Sequence, residues 1–185
     1  MRLRLRLLIF LIWALLRPRL APSDESVISL RVLPNDVDLK HVTNDRYLAY
    51  MDLGRNDFAV RLGLFAVTRK IGAYPSVRFS CLRFRRGAML FSKVELRTRL
   101  LCWDAEAAWF EQEFFVHGRS IALGYCCAEM RSGRENISIA ALLDVAGYPG
   151  LRSPEVPEVV AQLRVQVQSM HVHQQRHDQR PPGAA

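Results

Sequence analysis

At 185 residues and half hydrophobic, the chain is long enough to fold as one domain around an ordinary core. Its net charge of +8 and pI near 9.9 come almost wholly from arginine, concentrated at Arg2 to Arg6, Arg17 to Arg19 and Arg83 to Arg86. Such charge suits nucleic acid, anionic lipid or a ligand's phosphates. No zinc-finger spacing, RNP-like run or recognition-helix pattern is present, so a basic nucleic-acid-binding module ranks last and no nucleic-acid partner is expected.

The N-terminal segment, residues 1–23, sets an apolar run from Leu7 to Leu16 between arginines. Basic followed by apolar is how a secretory signal opens, but Arg17-Pro18-Arg19 closes the run and no small-x-small cleavage pattern follows. The ten apolar residues also fall short of the roughly 20 that span a bilayer. The segment is expected to lie in a membrane interface or to dock on its own domain, with the interface favoured because arginines bracket it. Val27 to Leu33 then reads as a strand that stops at Pro34. A loop carrying Asp36, Asp38, His41, Thr43 and Asn44 leads into a long helix, in which Tyr47, Leu48, Met51, Gly54, Arg55, Phe58, Ala59 and Leu62 recur at three- and four-residue spacing. Thr43 or Asn44 can cap its start and Gly63 can end it. Asp52 and Arg55, three apart, suit an ion pair better than a second catalytic acid.

Beyond a polar link at 68–73, Val77 to Phe84 alternates as a strand and Arg85-Arg86-Gly87 forms a turn. Phe91 to Leu101, Trp109 to Val116 and Ile121 to Met130 are three more strands, the last two joined by a hairpin at His117-Gly118-Arg119. Short links favour antiparallel pairing, and a sheet packed on one long helix gives an α+β fold for residues 24–150. Ala140 to Ala146 is a short helix stopped by Gly147. Ser153-Pro154 is read as starting a C-terminal amphipathic helix over 151–170, striped by Val156, Val159, Val160, Leu163, Val167 and Met170. Residues 171–185 are read as a disordered tail, whose His171, His173 and His177 lack companion carboxylates or cysteines for a metal. Cys81, Cys102, Cys126 and Cys127 show no C-x-x-C spacing, so reduced core thiols are expected, with no metal site and no disulfide framework. No nucleophile elbow, phosphate loop or dinucleotide fingerprint is present.

Asp36-Val37-Asp38, His41, Asn44 and Tyr47 resemble the signature of hot-dog-fold acyl-CoA thioesterases of the 4-hydroxybenzoyl-CoA type, roughly Asp-x-Asp-x-x-x-His-x-Asn-Asn-x-x-Tyr. Tyr74-Pro75, Arg83-Phe84, the run from Phe91 to Thr98, Trp103-Asp104 and Glu111-Gln112 are similar to one branch of that family. The resemblance runs from Val27 to Gly147. It departs in two places: the Asp38–His41 loop is one residue short and carries Lys40 where glycine is common, and Thr43 replaces the first Asn of the pair.

The resemblance implies an antiparallel sheet wrapped around one long central helix, assembled as a homodimer or homotetramer with the site at a subunit interface. It also implies a thioester hydrolase acting on an acyl-CoA or acyl-carrier thioester. Asp38 would be the base or nucleophile, and backbone N–H groups from His41 to Asn44 would receive the oxyanion. His41 would orient Asp38 or line the pocket, Asn44 would hold water, Tyr47 would contact substrate, and Arg83, Arg85 and Arg86 would meet the CoA phosphates. No metal or other cofactor is implied. The expected location is cytoplasmic, peripheral on the inner face of a membrane. Taken without the resemblance, Asp36, Asp38 and Asn44 equally suit Asx-turn and capping bonds. The two departures also motivate an alternative, a non-catalytic acyl-binding or membrane-tethered scaffold.

Overall fold

Alternating apolar and polar residues build a curled antiparallel sheet whose inner face takes the long helix. The computed structural model describes the backbone of residues 2–178 and the side chains of residues 5–175. Its elements are α1 (Arg2–Leu16), β1 (Glu25–Arg31), a 3-10 turn (Pro34–Asp36), β2 (Val37–Asp38), β3 (His41–Val42), α2 (Asn44–Arg61), α3 (Leu64–Lys70) and β4 (Tyr74–Phe84). They continue with β5 (Lys93–Trp103), β6 (Ala108–Val116), β7 (Arg119–Ser132), β8 (Glu135–Ile137), α4 (Ile139–Ala146) and α5 (Glu158–Asp178). The sheet order is β1-β5-β6-β7-β4, all antiparallel, with β8 added to the end of β7. This is the α+β hot-dog architecture that the resemblance implies.

Period-two burial sets the register. Ser26, Ile28 and Leu30 of β1 lie inward opposite Thr98, Leu96 and Val94 of β5, while Arg31, Lys93, Arg97 and Arg99 are exposed. On the inner face Tyr47, Met51 and Phe58 of α2, and Leu62 at its C-cap, are buried against the sheet side. Each such side chain contributes roughly 1.5–3 kcal/mol when fully buried. Gly54 lets the helix come close: a Cβ there would stand 2.5 Å from Thr98 Oγ1 and 2.9 Å from Gln112 Nε2.

α2 is buried on a second side as well, which its sequence stripe did not indicate. Tyr50, Leu53, Asp57 and Arg61 are buried toward α1 and the segment after it, whereas Leu48, expected inside, is exposed. Asp57 accepts from Ser26 Oγ at 2.5 Å and pairs with Arg17 at 3.2 Å and Arg61 at 3.4 Å, while Arg61 Nε donates to the Pro18 carbonyl. α1 therefore docks on the domain, through Leu7, Phe10 and Ala14. Its opposite face, formed by Leu5, Leu8, Ile9, Ile12, Trp13, Leu15 and Leu16, remains exposed. No helix among the described residues is long and apolar enough to cross a membrane.

Three local readings need correction. The polar link at 68–73 is partly helical, because Gly63 (φ +91°) turns the chain into α3. The C-terminal helix starts at Glu158, not at Ser153, because the residue before a proline avoids helical backbone and Pro157 imposes that on Val156. Ser153 Oγ accepts from the Trp103 N–H at 2.9 Å instead. The segment expected as a disordered tail is helical over 171–178, where α5 continues and Gln175 contacts His171 at 2.9 Å; residues 179–185 lie outside the described residues.

α5 covers the outer face of the sheet, burying Val160 with Cys102, Trp109 and Cys127. Adjacent Cys126 and Cys127 accordingly face opposite sides of β7. All four thiols are free, and burial raises the pKa of each, pushing Cys127 up to about 12.

Candidate active site

Asp36 ends the 3-10 turn and is 0% exposed. Its Oδ2 accepts from the Leu33 N–H at 2.9 Å and from Arg6 Nη2 at 3.0 Å, and its carbonyl accepts from the Thr43 N–H at 3.1 Å. These bonds fold the 33–43 loop back on itself. Two residues later the chain reverses: β2 and β3 pair Val37 with Val42 and Asp38 with His41, leaving Leu39-Lys40 as the turn. Leu39 adopts φ +60° and is 98% exposed. A two-residue turn of this kind favours glycine or asparagine, so Leu39 carries the backbone cost of the shortened loop.

Asp38 and His41 thus face each other across the hairpin, both exposed. The hairpin is fixed to the segment after the arginine turn, by Val42 N–H to the Ala88 carbonyl at 2.9 Å and Leu90 N–H to the Lys40 carbonyl at 3.1 Å. His41 lies over Gly87, where a Cβ would come within 2.7 Å of the ring. Arg85 and Arg86 immediately precede Gly87; their N–H groups both donate to the Ile121 carbonyl, and their side chains are exposed, as is that of Arg83. Tyr47 sits elsewhere than a substrate contact would: it is buried, its hydroxyl accepts from the Ala88 N–H at 3.0 Å, and its ring meets Phe84 and Phe114 at 5.1 Å each. Burial raises its pKa, and its work is to support the turn beneath His41.

Asn44 is the exposed first residue of α2. Thr43 stands at the cap position, but its hydroxyl donates to the Asp45 carboxylate, lowering that group's pKa, and does not cap the helix. Thr43 thus makes no N-cap bond, and the Asp45 carboxylate instead lies against the Asp45 and Arg46 N–H groups at a helix start where negative charge is favoured. Asp38, His41, Asn44, Arg85 and Arg86 are all exposed; Asp38 and His41 share the hairpin, Asn44 begins the helix that follows it, and the arginines precede the Gly87 that His41 covers. No group of three or more His, Cys, Asp or Glu residues suited to a metal occurs among the described residues.

A cavity of about 600 Å³ lies farther along α2, lined by Phe58, Phe110, Val77, Met130 and Leu143 and by the polar Asp52 and Arg55. Its volume falls within the roughly 300–1,000 Å³ of ligand pockets. Arg55 pairs with Asp52 and donates to Gln112 Oε1 at 2.6 Å; buried Gln112 donates to the Met51 carbonyl at 2.9 Å and to Thr98 Oγ1 at 3.0 Å. None of the site residues expected from sequence lines this cavity. From Asn44 to Asp52, which lines the cavity, is about 12 Å of helix. The Asp52–Arg55 pair is the one expected from sequence, whereas the Arg6–Asp36 pair and the bonds of Gln112 to Arg55, Met51 and Thr98 were missed, since each joins residues far apart in sequence.

The profile of the thioesterase-like superfamily matches residues 32–182. The chain belongs to that superfamily. Among curated relatives, Protein THEM6 of Danio rerio is 31% identical over 141 residues, covering 76% of this chain and 67% of that protein. Protein THEM6 of Xenopus laevis is 42% identical over 84 residues, 45% of this chain and 41% of that one, so the match spans less than half of that relative. Solved superfamily-like folds include the hypothetical protein TT1821 from Thermus thermophilus, with TM-score 0.61, 27% identity and coverage of 65% of this chain and 95% of that one. Gentisyl-coenzyme A thioesterase BH1999 superposes with TM-score 0.60 at 21% identity, over 65% of this chain and 98% of that chain, a likeness of fold. Membership of the thioesterase-like superfamily supports thioester hydrolysis as the general chemistry.

Proposed function

We propose that the protein is an acyl-CoA thioesterase, hydrolysing an acyl thioester to the free acid and CoA. The observation that carries this reading is the exposed Asp38–His41 pair on the hairpin that leads into the start of α2. Asp38 either attacks the thioester carbonyl or takes a proton from the attacking water. The N–H groups at the start of α2 receive the negative charge that develops on the carbonyl oxygen, and the C–S bond breaks to release CoA thiolate. His41 orients the carboxylate and Asn44 holds the water. Arg83, Arg85 and Arg86 meet the CoA phosphates, consistent with their exposed guanidinium groups. The solved protein SAV2348 from Staphylococcus aureus, at TM-score 0.61 and 11% identity over 76% of this chain and 94% of that one, is a complex with CoA.

The acyl chain lies in the cavity beside α2, and a second copy of the chain completes the site, because the cavity and Asp38 occupy different stretches of one protomer. The outward apolar face of α1 rests on an anionic membrane surface, which makes the protein peripheral, on the inner face. A non-catalytic acyl-binding scaffold is the second reading, favoured specifically by the strained Leu39 turn beside Asp38. A panel of acyl-CoAs of varied chain length, assayed with a thiol-detecting reagent, tests the first reading. Release of CoA from at least one member supports it, and binding without release from any member supports the scaffold.

A further inference from the structure

The N-terminal helix reaches the loop that carries Asp38 through one buried ion pair. Arg6 leaves the docked face of α1, is 15% exposed in its side chain, and meets the fully buried Asp36 carboxylate at 3.0 Å. The same guanidinium donates to the Arg31 carbonyl at 3.3 Å and lies over the Tyr50 ring, 5.6 Å from its centroid. Asp36 in turn holds the Leu33 N–H by its side chain and the Thr43 N–H by its carbonyl, the two ends of the 33–43 loop. The Tyr50 hydroxyl and Arg6 Nη1 are both buried without a hydrogen-bond partner beside this carboxylate. A carboxylate so enclosed is tolerated because Arg6 neutralises it.

We propose that Arg6 and Asp36 are positioning residues: their ion pair sets the conformation of the loop that presents Asp38 and His41, so α1 is a working part of the site. This rests on the thioesterase reading for its kinetic consequence, but the ordering of the loop is independent of it. Removing Arg6 leaves a buried, unpaired carboxylate facing Tyr50 from α2. An uncompensated buried charge is costly, so the loop that encloses it loosens toward water.

The test compares the full chain with Arg6→Met, Asp36→Asn and the double variant. Peptides covering 33–43 are followed by deuterium exchange, and kcat and KM are measured on an acyl-CoA that the unaltered protein hydrolyses. Arg6→Met is expected to speed exchange in 33–43 while the β5 and β6 peptides keep their protection. It is expected to lower kcat by up to about 10²-fold with KM little changed. Adding Asp36→Asn, which removes the unpaired charge, should slow exchange in 33–43 again and restore most of kcat. Unchanged exchange and kcat in Arg6→Met would overturn the proposal, and so would loss of protection across the whole sheet, which marks a merely structural pair. If the unaltered protein hydrolyses no acyl-CoA, the thioesterase reading fails alone; faster exchange confined to 33–43 then still supports the loop-setting role, and its absence overturns it.

Discussion

Asp36 and Asp38 are two positions apart, yet one is sealed beneath α1 and the other stands in solvent on a two-residue hairpin. A buried carboxylate held by Arg6 and a backbone N–H serves the loop; an exposed one beside a helix start is free to react. Asp38→Asn is accordingly expected to lower turnover at least about a hundredfold, the scale of losing a positioned base, with fold and acyl-CoA binding nearly unchanged. Turnover within about threefold of the unaltered protein would remove Asp38 from the reaction. The cysteines allow a second residue-level prediction that also bears on the assay. Burial raises the pKa of all four thiols, to about 12 at Cys127, which lowers the thiolate fraction at any given pH below that of a free cysteine. The native protein should therefore give almost no signal with a thiol reagent near neutral pH, and four equivalents after denaturation. Rapid labelling of more than one site in the native chain would contradict the burial of Cys102, Cys126 and Cys127, Cys81 being half-buried.

Among the elements, the strands and α2 were legible because their periods of two and 3.6 are local properties of the chain. Gly63, Gly147 and the His117-Gly118 turn were legible too, since their backbones at φ +91°, +106° and, for His117 and Gly118, +50° and +71° match the residues present. What stayed hidden is nonlocal. The second buried side of α2 contains Asp57 and Arg61, which no apolar pattern marks, and their burial makes sense only once Arg17 and Ser26 are brought alongside. Removing one partner from such a cluster leaves an uncompensated charge. Arg61→Met should destabilise the fold by about 3–5 kcal/mol in urea unfolding, and a loss under 1 kcal/mol would mean that Arg17 alone suffices. The N-terminal helix illustrates the same limit: docking and membrane contact looked like rivals in sequence, whereas α1 docks by Leu7, Phe10 and Ala14 and turns seven large apolar side chains outward. If that face meets lipid, binding to vesicles should rise with anionic content and fall with salt. Replacing Leu8, Ile12 and Trp13 with serine should abolish it while the melting temperature holds. Full-length protein that ignores anionic vesicles at low salt would exclude the membrane role.

At the scale of the whole molecule, the separation between Asp38 and the cavity calls for an explanation, and the free edge of the sheet offers one. β4 is eleven residues long and ends the strand order, paired with β7 on one side. An unpaired edge of that length favours another strand. Antiparallel pairing of two β4 edges would bring the Phe84 end of one protomer, followed by Arg85 and Arg86, beside the Tyr74 end of the other. Tyr74, Pro75 and Val77 line the cavity, so the arginines and Asp38 hairpin of one copy would flank the acyl cavity of its partner. This arrangement makes sedimentation as a dimer or tetramer the expected result at micromolar concentration. It also makes a stronger prediction about which residues belong to one site. In the shared arrangement, Asp38→Asn and a cavity-blocking Ala59→Trp variant are each inactive alone, because every site contains one altered component. Unfolding and refolding them together yields mixed dimers in which one site is fully native. If assortment is random, half of the dimers are mixed, and activity should recover to about a quarter of the unaltered level. A site built within one protomer predicts no recovery, since every protomer in the mixture is defective. An active monomer, or a mixture as dead as its parts, would therefore place Asp38 and the cavity in the same chain and require the chain itself to bridge the distance between them.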